Sequence, residues 1–454
     1  MGHSHTKISA PREPYLLQVP DEIITYISLY LDNRSTVHLR MTCQKLRWMP
    51  MHYTIERLRI ATYERLLTLS LFATRTESSF SLRILDLEAF SNPDFNVTIS
   101  EIQETLRALL PYLSFSVLIT RSPLLILDNG LSEKPLYPRV TVLCYCYPSP
   151  DEAEIPRMRV HFPLLNVLKL RYMQECRQLA TSHEFVQKLS DTFPKLSFLK
   201  IEMIRASSIV YLTEHCTSLR HLDLAPNTDL NDEALHAIMK HSQSLVYLNL
   251  TWSRQGVMDG PPPRYEILAE GGGCQKLEYL TLAQNTVSAA SLTFLLQNLS
   301  GLKYLDLCKT NLESDAIQTI ARYGTRLLGL NLAHQSRSCK DLVEVAENCK
   351  RLVKAIWPGC PSNKVLQKML LECKDVQDVG FNGLDHLEGS YQLTVDILSW
   401  LRKNYKVIPS RINIALVSNF AEQELKKASR FFQSHRRYLG FESTDAEALR
   451  RSYL

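Results

Sequence analysis

The feature that most constrains this chain is a spaced set of leucines, L-x-x-L-x-L, that recurs through its middle. It reads Leu219/Leu222/Leu224, then Leu245/Leu248/Leu250, Leu277/Leu280/Leu282, Leu302/Leu305/Leu307 and Leu327/Leu330/Leu332. From Leu277 onward the first leucines stand twenty-five residues apart. A fixed period of that length signals one supersecondary unit, a strand plus a helix, repeated along the chain. No single unit can bury its own leucines, so the units must stack and share a core.

The template extends in both directions. Leu82/Leu85/Leu87 is the first clear instance. Weaker ones start at Phe115, Val140 and Leu165, and Leu196/Leu199/Ile201 follows them. After Leu332 the pattern thins to Leu352/Ala355/Trp357 and Val376/Val379/Phe381. About twelve units are expected. Asn231-Asp232, Ser288 and Ser314-Asp315 stand where the intervening helices need N-caps. The pattern is similar to the leucine-rich repeat. That resemblance implies an α/β solenoid, with parallel strands on a concave face and helices on a convex one.

Cys216, Cys274, Cys349 and Cys373 each stand three residues before the first apolar residue of a template. They resemble the cysteine-containing repeat subtype, in which a small apolar thiol is buried where helix turns to strand. The role expected is packing. The eleven cysteines form no paired framework, which predicts a reducing compartment, cytoplasm and/or nucleus. Cys144-x-Cys146 lacks a second pair at finger spacing, so no metal site is expected.

Residues 19–49 form a second informative stretch. Pro20, Asp21 and Glu22 suit a helix start, and Ile23, Ile24, Ile27 and Leu31 follow at helical spacing. Asp32-Asn33 breaks that helix, and Ser35 or Thr36 is placed to cap another carrying Val37, Leu39, Cys43 and Leu46. The segment resembles the F-box, whose pattern opens L-P-x-E and closes near V-C-x-x-W; here Val19-Pro20-Asp21-Glu22 and Thr42-Cys43 occupy those places. Thr36, Thr42 and Leu46 depart from it, with Trp48 two residues beyond Leu46.

An F-box followed by leucine-rich repeats is the order of the F-box/leucine-rich-repeat family, substrate receptors of SCF ubiquitin ligases. The resemblance implies that Val19, Pro20, Ile23, Ile24, Ile27, Leu31, Val37 and Leu39 supply core and adaptor surface for a Skp-type adaptor linked to a cullin. The repeats would then capture a protein substrate for ubiquitination and proteasomal degradation. The alternative is a repeat scaffold for protein interactions, in which the same residues form a helical N-terminal cap.

The domain organisation expected is a disordered tail over 1–14, the F-box over 15–52 and a linker helix over 53–80. The solenoid follows over 81–390, with a capping region over 391–454. The linker is read from Ile55, Leu58, Leu66 and Leu69 on one face. In the capping region, Leu393–Leu401 reads as helix, Ile412–Val417 as a last strand, and Phe420–Leu439 as a basic amphipathic helix. Two units carry insertions. One holds a helix near Glu184–Leu189. The other, Arg254–Gly273, contains Gly260-Pro261-Pro262-Pro263 and Gly271–Gly273, and reads as a surface loop whose excision costs little, either a tolerated insertion or a substrate-contacting loop at the solenoid edge.

There is no phosphate-binding glycine loop, no zinc-protease or nucleophile-elbow motif, and no cofactor fingerprint, so neither an enzyme nor a cofactor is expected. Net charge is +5, diffuse and without interleaved stacking aromatics, which argues against nucleic acid. No apolar run is long enough for a signal peptide or a membrane span. Binding is expected instead on the residues between template leucines, which alternate away from the core. That column gives Tyr247, Tyr279 and Tyr304, beside Asp223, Asn249 and Asp306.

Overall fold

The computed structural model describes residues 31–42, 49, 51–90, 97–121, 135–147, 154–172, 181–227, 229–252, 262–313, 315–334, 339–358, 364–382, 399–404, 411–416, 433 and 438–442. The chain divides into two compact units, 1–174 and 175–454.

In the first unit a parallel sheet runs β1 (His52–Arg59), β2 (Ser79–Leu87), β3 (Val117–Thr120), β4 (Val142–Tyr147), β5 (Val167–Tyr172). One apolar position aligns across all five strands: Leu58, Leu85, Leu118, Leu143 and Leu168 are direct cross-strand partners. Helices α2 (Tyr63–Thr76) and α3 (Ile99–Leu109) pack on one another. Their starts are fixed locally. Thr62 accepts the Arg65 N–H, and Thr98 with Glu101 closes a reciprocal capping box.

The continuous helix expected over 53–80 is therefore a strand followed by a helix. Ile55, Leu58 and Ile60 already satisfy the L-x-x-L-x-L template, and Ile55 pairs with Leu82 of the next strand. Their register continued into Leu66 and Leu69 by coincidence with a helical spacing, across the break at residues 60–62.

Helix α1 (Asn33–Thr42) precedes this sheet and docks on it. Asp32, rather than Ser35 or Thr36, caps it: Asp32 Oδ1 accepts the Ser35 N–H at 2.6 Å, and those bonds hold its carboxyl below the usual range. The Asn33 side chain then pairs with the backbone of Thr54 in β1, accepting its N–H at 3.1 Å and donating to its carbonyl at 2.5 Å. Edge strand β1 thus has its backbone partly satisfied by a side chain. Two turns on, Arg40 is buried. It donates to Met49 O at 2.7 Å and Ser78 Oγ at 2.6 Å, and its guanidinium lies 5.6 and 5.2 Å from the ring centres of Tyr53 and Phe72.

The second unit continues the same scheme with shorter strands: β6 (Phe198–Lys200), β7 (His221–Asp223), β8 (Tyr247–Asn249), β9 (Tyr279–Thr281), β10 (Tyr304–Asp306) and β11 (Gly329–Asn331). Beyond them lie β12 (Lys354–Pro358), β13 (Asp378–Asn382), β14 (Arg411–Leu416) and β15 (Tyr438–Glu442). All pair in parallel with the template leucines in register, from Leu199 through Leu222, Leu248, Leu280, Leu305 and Leu330 to Ala355, Val379, Ile414 and Phe441. The ladder therefore runs past residue 390 into what was expected to be a cap. The strand expected at Ile412–Val417 is β14, and Tyr438 and Leu439 lie in β15; the rest of the helix expected over Phe420–Leu439 falls outside the described residues apart from residue 433.

A single layer of helices backs this sheet, each packed on the next from His183–Thr192 to Lys364–Glu372. Asn231 and Ser288 cap two of them as the sequence suggested. Cysteines close four of the helix-to-strand turns, as at Cys216, whose N–H donates to Leu212 O while Leu219 N–H donates back to Cys216 O. Cys216, Cys274, Cys349 and Cys373 are fully buried, and burial pushes their thiols up, to about 12 for Cys274 and Cys349 and about 11 for Cys216 and Cys373. They are packing residues.

The Arg254–Gly273 insertion is not a dispensable loop. Its second half is a 3-10 segment, Tyr265–Gly272, that fills the helix layer between Asp232–His241 and Ala289–Asn298. Tyr265, Ile267, Leu268 and Ala269 are buried. The Tyr265 hydroxyl donates to Asn285 Oδ1 at 2.6 Å, while Asn285 Nδ2 donates to the carbonyls of Leu250 and Ala283. Prolines and glycines at its ends masked a core element.

Candidate protein-interaction surface

Each unit's sheet has one face covered by helices and one face that carries the residues between the template leucines. In the second unit β6 to β11 are only three residues long, so each offers two open-face positions, before and after the central position of the strand. Fixed register turns those positions into two columns.

The first column is aromatic. Tyr247, Tyr279 and Tyr304 are direct partners on adjacent strands. Tyr279 and Tyr304 stack face to face at 4.3 Å with 1° between planes, and Tyr247 lies 6.2 Å from Tyr279 at 40°. The column continues to residues the sequence reading passed over. His221 stacks 6.0 Å from Tyr247, and Phe198 stacks 5.5 Å from His221. At the other end Gly329 pairs with Tyr304, and a Cβ there would run into ring carbons of Tyr304. Absence of a side chain at 329 is what lets that ring lie across the neighbouring strand.

The column is not evenly open. Tyr247 is 9% exposed, so it serves mainly as support, whereas Phe198, His221, Tyr279 and Tyr304 are half-buried with edges to solvent. Burial, then the adjacent Tyr304 ring and hydroxyl, raise the Tyr279 phenol above its ordinary range. It remains a neutral hydrogen-bonding group at physiological pH.

The second column holds Asp223, Asn249, Thr281, Asp306 and Asn331. Four of these use one side-chain oxygen on the backbone two residues on. Asp223 accepts from Ala225 N–H at 3.1 Å, Asn249 from Thr251 at 3.1 Å, Asp306 from Cys308 at 2.9 Å and Asn331 from Ala333 at 3.1 Å. These are Asx turns that end the strand. After Asp306 and Asn331 the chain enters a left-handed residue, with φ of 55° at Lys309 and 61° at His334. The second oxygen of Asp223 takes Lys200 Nζ at 2.9 Å. The Asp/Asn type at these positions is thus accounted for by turn geometry, and the aromatic column carries the more open contact area.

The residues expected to face an adaptor divide differently. Val19, Pro20, Ile23, Ile24 and Ile27 lie outside the described residues, as does the tail 1–14. Leu31 and Leu39 are half-buried. Helix α1 buries Thr36 and Arg40, so its apolar pair Val37 and Met41 points outward at 47% and 74% exposure. Such an i, i+4 pair on a docked helix is a small apolar step facing solvent. Among the described residues no helix is long and apolar enough to cross a membrane, and no cluster of three or more His, Cys, Asp or Glu side chains is arranged to hold a metal ion.

No protein-family model matches this sequence, and no curated protein matches it. Among solved structures, the chain is similar to a crystal structure of the Rad7 and Elc1 complex in yeast. The match has 14% sequence identity, spans 81% of this chain and 85% of that chain, and has a TM-score of 0.45.

Proposed function

We propose that this chain is the substrate-recognition adaptor of an SCF-type ubiquitin ligase, with no catalytic step of its own. Residues 19–49 engage a Skp-type adaptor joined to a cullin, and the repeats hold a protein substrate for ubiquitination and degradation. The observation that carries the reading is the pairing of two features. A repeat sheet presents an in-register aromatic column, and a helix within the F-box-like stretch is fixed on the first strand with Val37 and Met41 outward. A receptor of this kind works by proximity, raising the effective concentration of substrate lysines near the ubiquitin carrier. A stiff joint between adaptor helix and repeats serves that purpose better than a flexible linker. The reading places the protein in the cytoplasm and/or nucleus, where its buried thiols stay reduced.

A second reading has its own support. Asn33 and Arg40 dock α1 on the edge strand as an N-terminal cap would, which fits a scaffold without an adaptor. The docking also decides how to separate the two. Removing residues 1–50 would strip Arg40 from its site, so surface substitution is the cleaner experiment. A Val37→Asp, Met41→Asp variant should melt like the wild type and lose co-purifying adaptor and cullin. Wild-type protein that brings down neither, or a variant that retains both, rules the ligase reading out.

A further inference from the structure

The first unit has an open sheet face of its own, and its chemistry differs from the aromatic column. Four aliphatic residues stand in register across four strands: Ile84, Val117, Val142 and Val167. All four are half-buried, with part of each side chain open to solvent. At about 4.8 Å between strands the stripe is about 14 Å long, the reach of four to five extended residues.

Cations frame it. Arg57 and Arg59 stand at the β1 edge, and Arg121, Lys169 and Arg171 lie toward the C-terminal ends of the strands. The side chains of Arg57, Arg59 and Arg121 are 51%, 65% and 52% exposed. Among the described residues, two acids stand against the four arginines. Asp86 is buried and takes Arg57 at 2.6 Å and Arg59 at 3.9 Å, and Glu88 takes Arg121 at 3.6 Å. Arg171 is exposed and has no ion pair among the described residues. The face therefore keeps a surplus of positive charge around an apolar stripe, in a chain whose net charge is only +5.

We infer that this face binds an extended protein segment in which acidic residues alternate with aliphatic ones. The stripe takes the aliphatic side chains, and the guanidinium groups take carboxylates, which they match with paired N–H donors. A nucleic acid fits less well. The four stripe residues offer no aromatic ring for bases to stack on, and Asp86 and Glu88 would oppose a phosphate backbone. The cations also predict fast, salt-sensitive association. The inference is independent of the ligase reading: the surface would bind the same segment in a scaffold.

The test uses full-length protein and a fluorescein-labelled peptide alternating Leu with Glu over about ten residues, read by anisotropy. Saturable binding below ~1 mM is expected. Affinity should fall at least tenfold when Lys replaces Glu in the peptide, when Ser replaces Leu, and in an Arg121→Glu, Arg171→Glu variant of the protein. An Arg322→Glu variant, altered only on an exposed helix position of the second unit, should bind as the wild type does. The peptide-side substitutions decide the matter even if the charge-reversed protein folds poorly. Absence of saturable binding, indifference to the charge or the aliphatic residues of the peptide, or tighter binding of a labelled oligothymidylate of equal length would each overturn the inference.

Discussion

The two units build the same ladder and finish it differently. Both align a leucine column beneath parallel strands. In the second unit, β6 to β11 are trimmed to three residues, four of those strands end in Asx turns, and the open face is a stack of aromatic rings. In the first unit β1 and β2 run eight and nine residues, Asp86 alone among the described residues repeats the Asx bond to the residue two on, and the open face is aliphatic with a cationic frame. Core positions are dictated by stacking, since each leucine must meet the leucine of the next strand. Open-face positions are free of that demand, so they are where two parts of one repeat protein can specialise.

The largest expected effect tests whether the second unit's regularity extends to its helix layer. Replacing Arg254–Gly273 by a short loop removes Tyr265, Ile267 and Leu268 from the core. Each is worth roughly 1.5–3 kcal/mol of burial, and together they approach the about 5–15 kcal/mol that holds a domain folded. The excision should abolish the cooperative melt or lower it by well over ten degrees. A variant melting within a few degrees of wild type would return this segment to the status of a loop.

The next effect compares how each unit uses a cation, buried at Arg40 and half-buried at Lys200. Arg40 makes two hydrogen bonds and two ring contacts that tie α1 to the first strand. Arg40→Ala should cost about 3 kcal/mol, because bonds to a charged donor are strong and the packing on the Tyr53 and Phe72 rings goes with them. Lys200→Ala in the second unit should cost about 1 kcal/mol, since Asp223 keeps its Ala225 bond. Hydrogen exchange should show residues 52–59 opening in the first variant and not in the second. Equal costs for the two would mean that α1 is a passive cover.

These two cases mark where the sequence was readable. The leucine register was legible almost throughout, because a core position must repeat wherever strands pair. Strand β1 was missed because Ile55, Leu58, Leu66 and Leu69 also fit a helix. The Tyr265 segment was missed because Pro261–Pro263 and Gly271–Gly273 dominate its composition. Arg40 was missed because a lone arginine is read as solvent-facing. Within the aromatic column, three identical tyrosines were visible, whereas Phe198 and His221 share only a shape and a register with them, which become apparent once the strands are aligned.

A third effect asks whether the aromatic column is a binding surface. Tyr279→Ala with Tyr304→Ala removes the closest stack and its solvent edge, leaving Tyr247 in place as support. Substrate capture should weaken by about 2 kcal/mol, the level of an interface hot spot, with adaptor co-purification unchanged. Adding Tyr247→Ala should bring a loss of melting temperature more than a further loss of capture. Unaltered capture in a folded double variant would move the substrate site off this column.

The smallest effect concerns a helix-to-strand turn of the second unit that carries a hydroxyl. Ser242 closes it as Phe193, Cys216, Leu299, Gly324 and Cys349 close theirs: its N–H donates to Ile238 O at 3.0 Å, and Leu245 N–H donates to its carbonyl at 3.0 Å. Its side chain is fully buried, and the hydroxyl has no partner among the described residues. A thiol fills the same space and loses less on leaving water, so Ser242→Cys should stabilise the protein by about 1 kcal/mol at pH 7. The gain should depend on pH. A thiol whose folded value is raised, as at Cys216 to about 11 and Cys274 to about 12, favours the native state fully below the ordinary thiol range. It loses that advantage as pH climbs toward the raised value, because only the unfolded chain then ionises freely. The variant should therefore melt above wild type at pH 7 and approach it near pH 10. A variant that melts lower at pH 7 would show that the Ser242 hydroxyl has a partner after all.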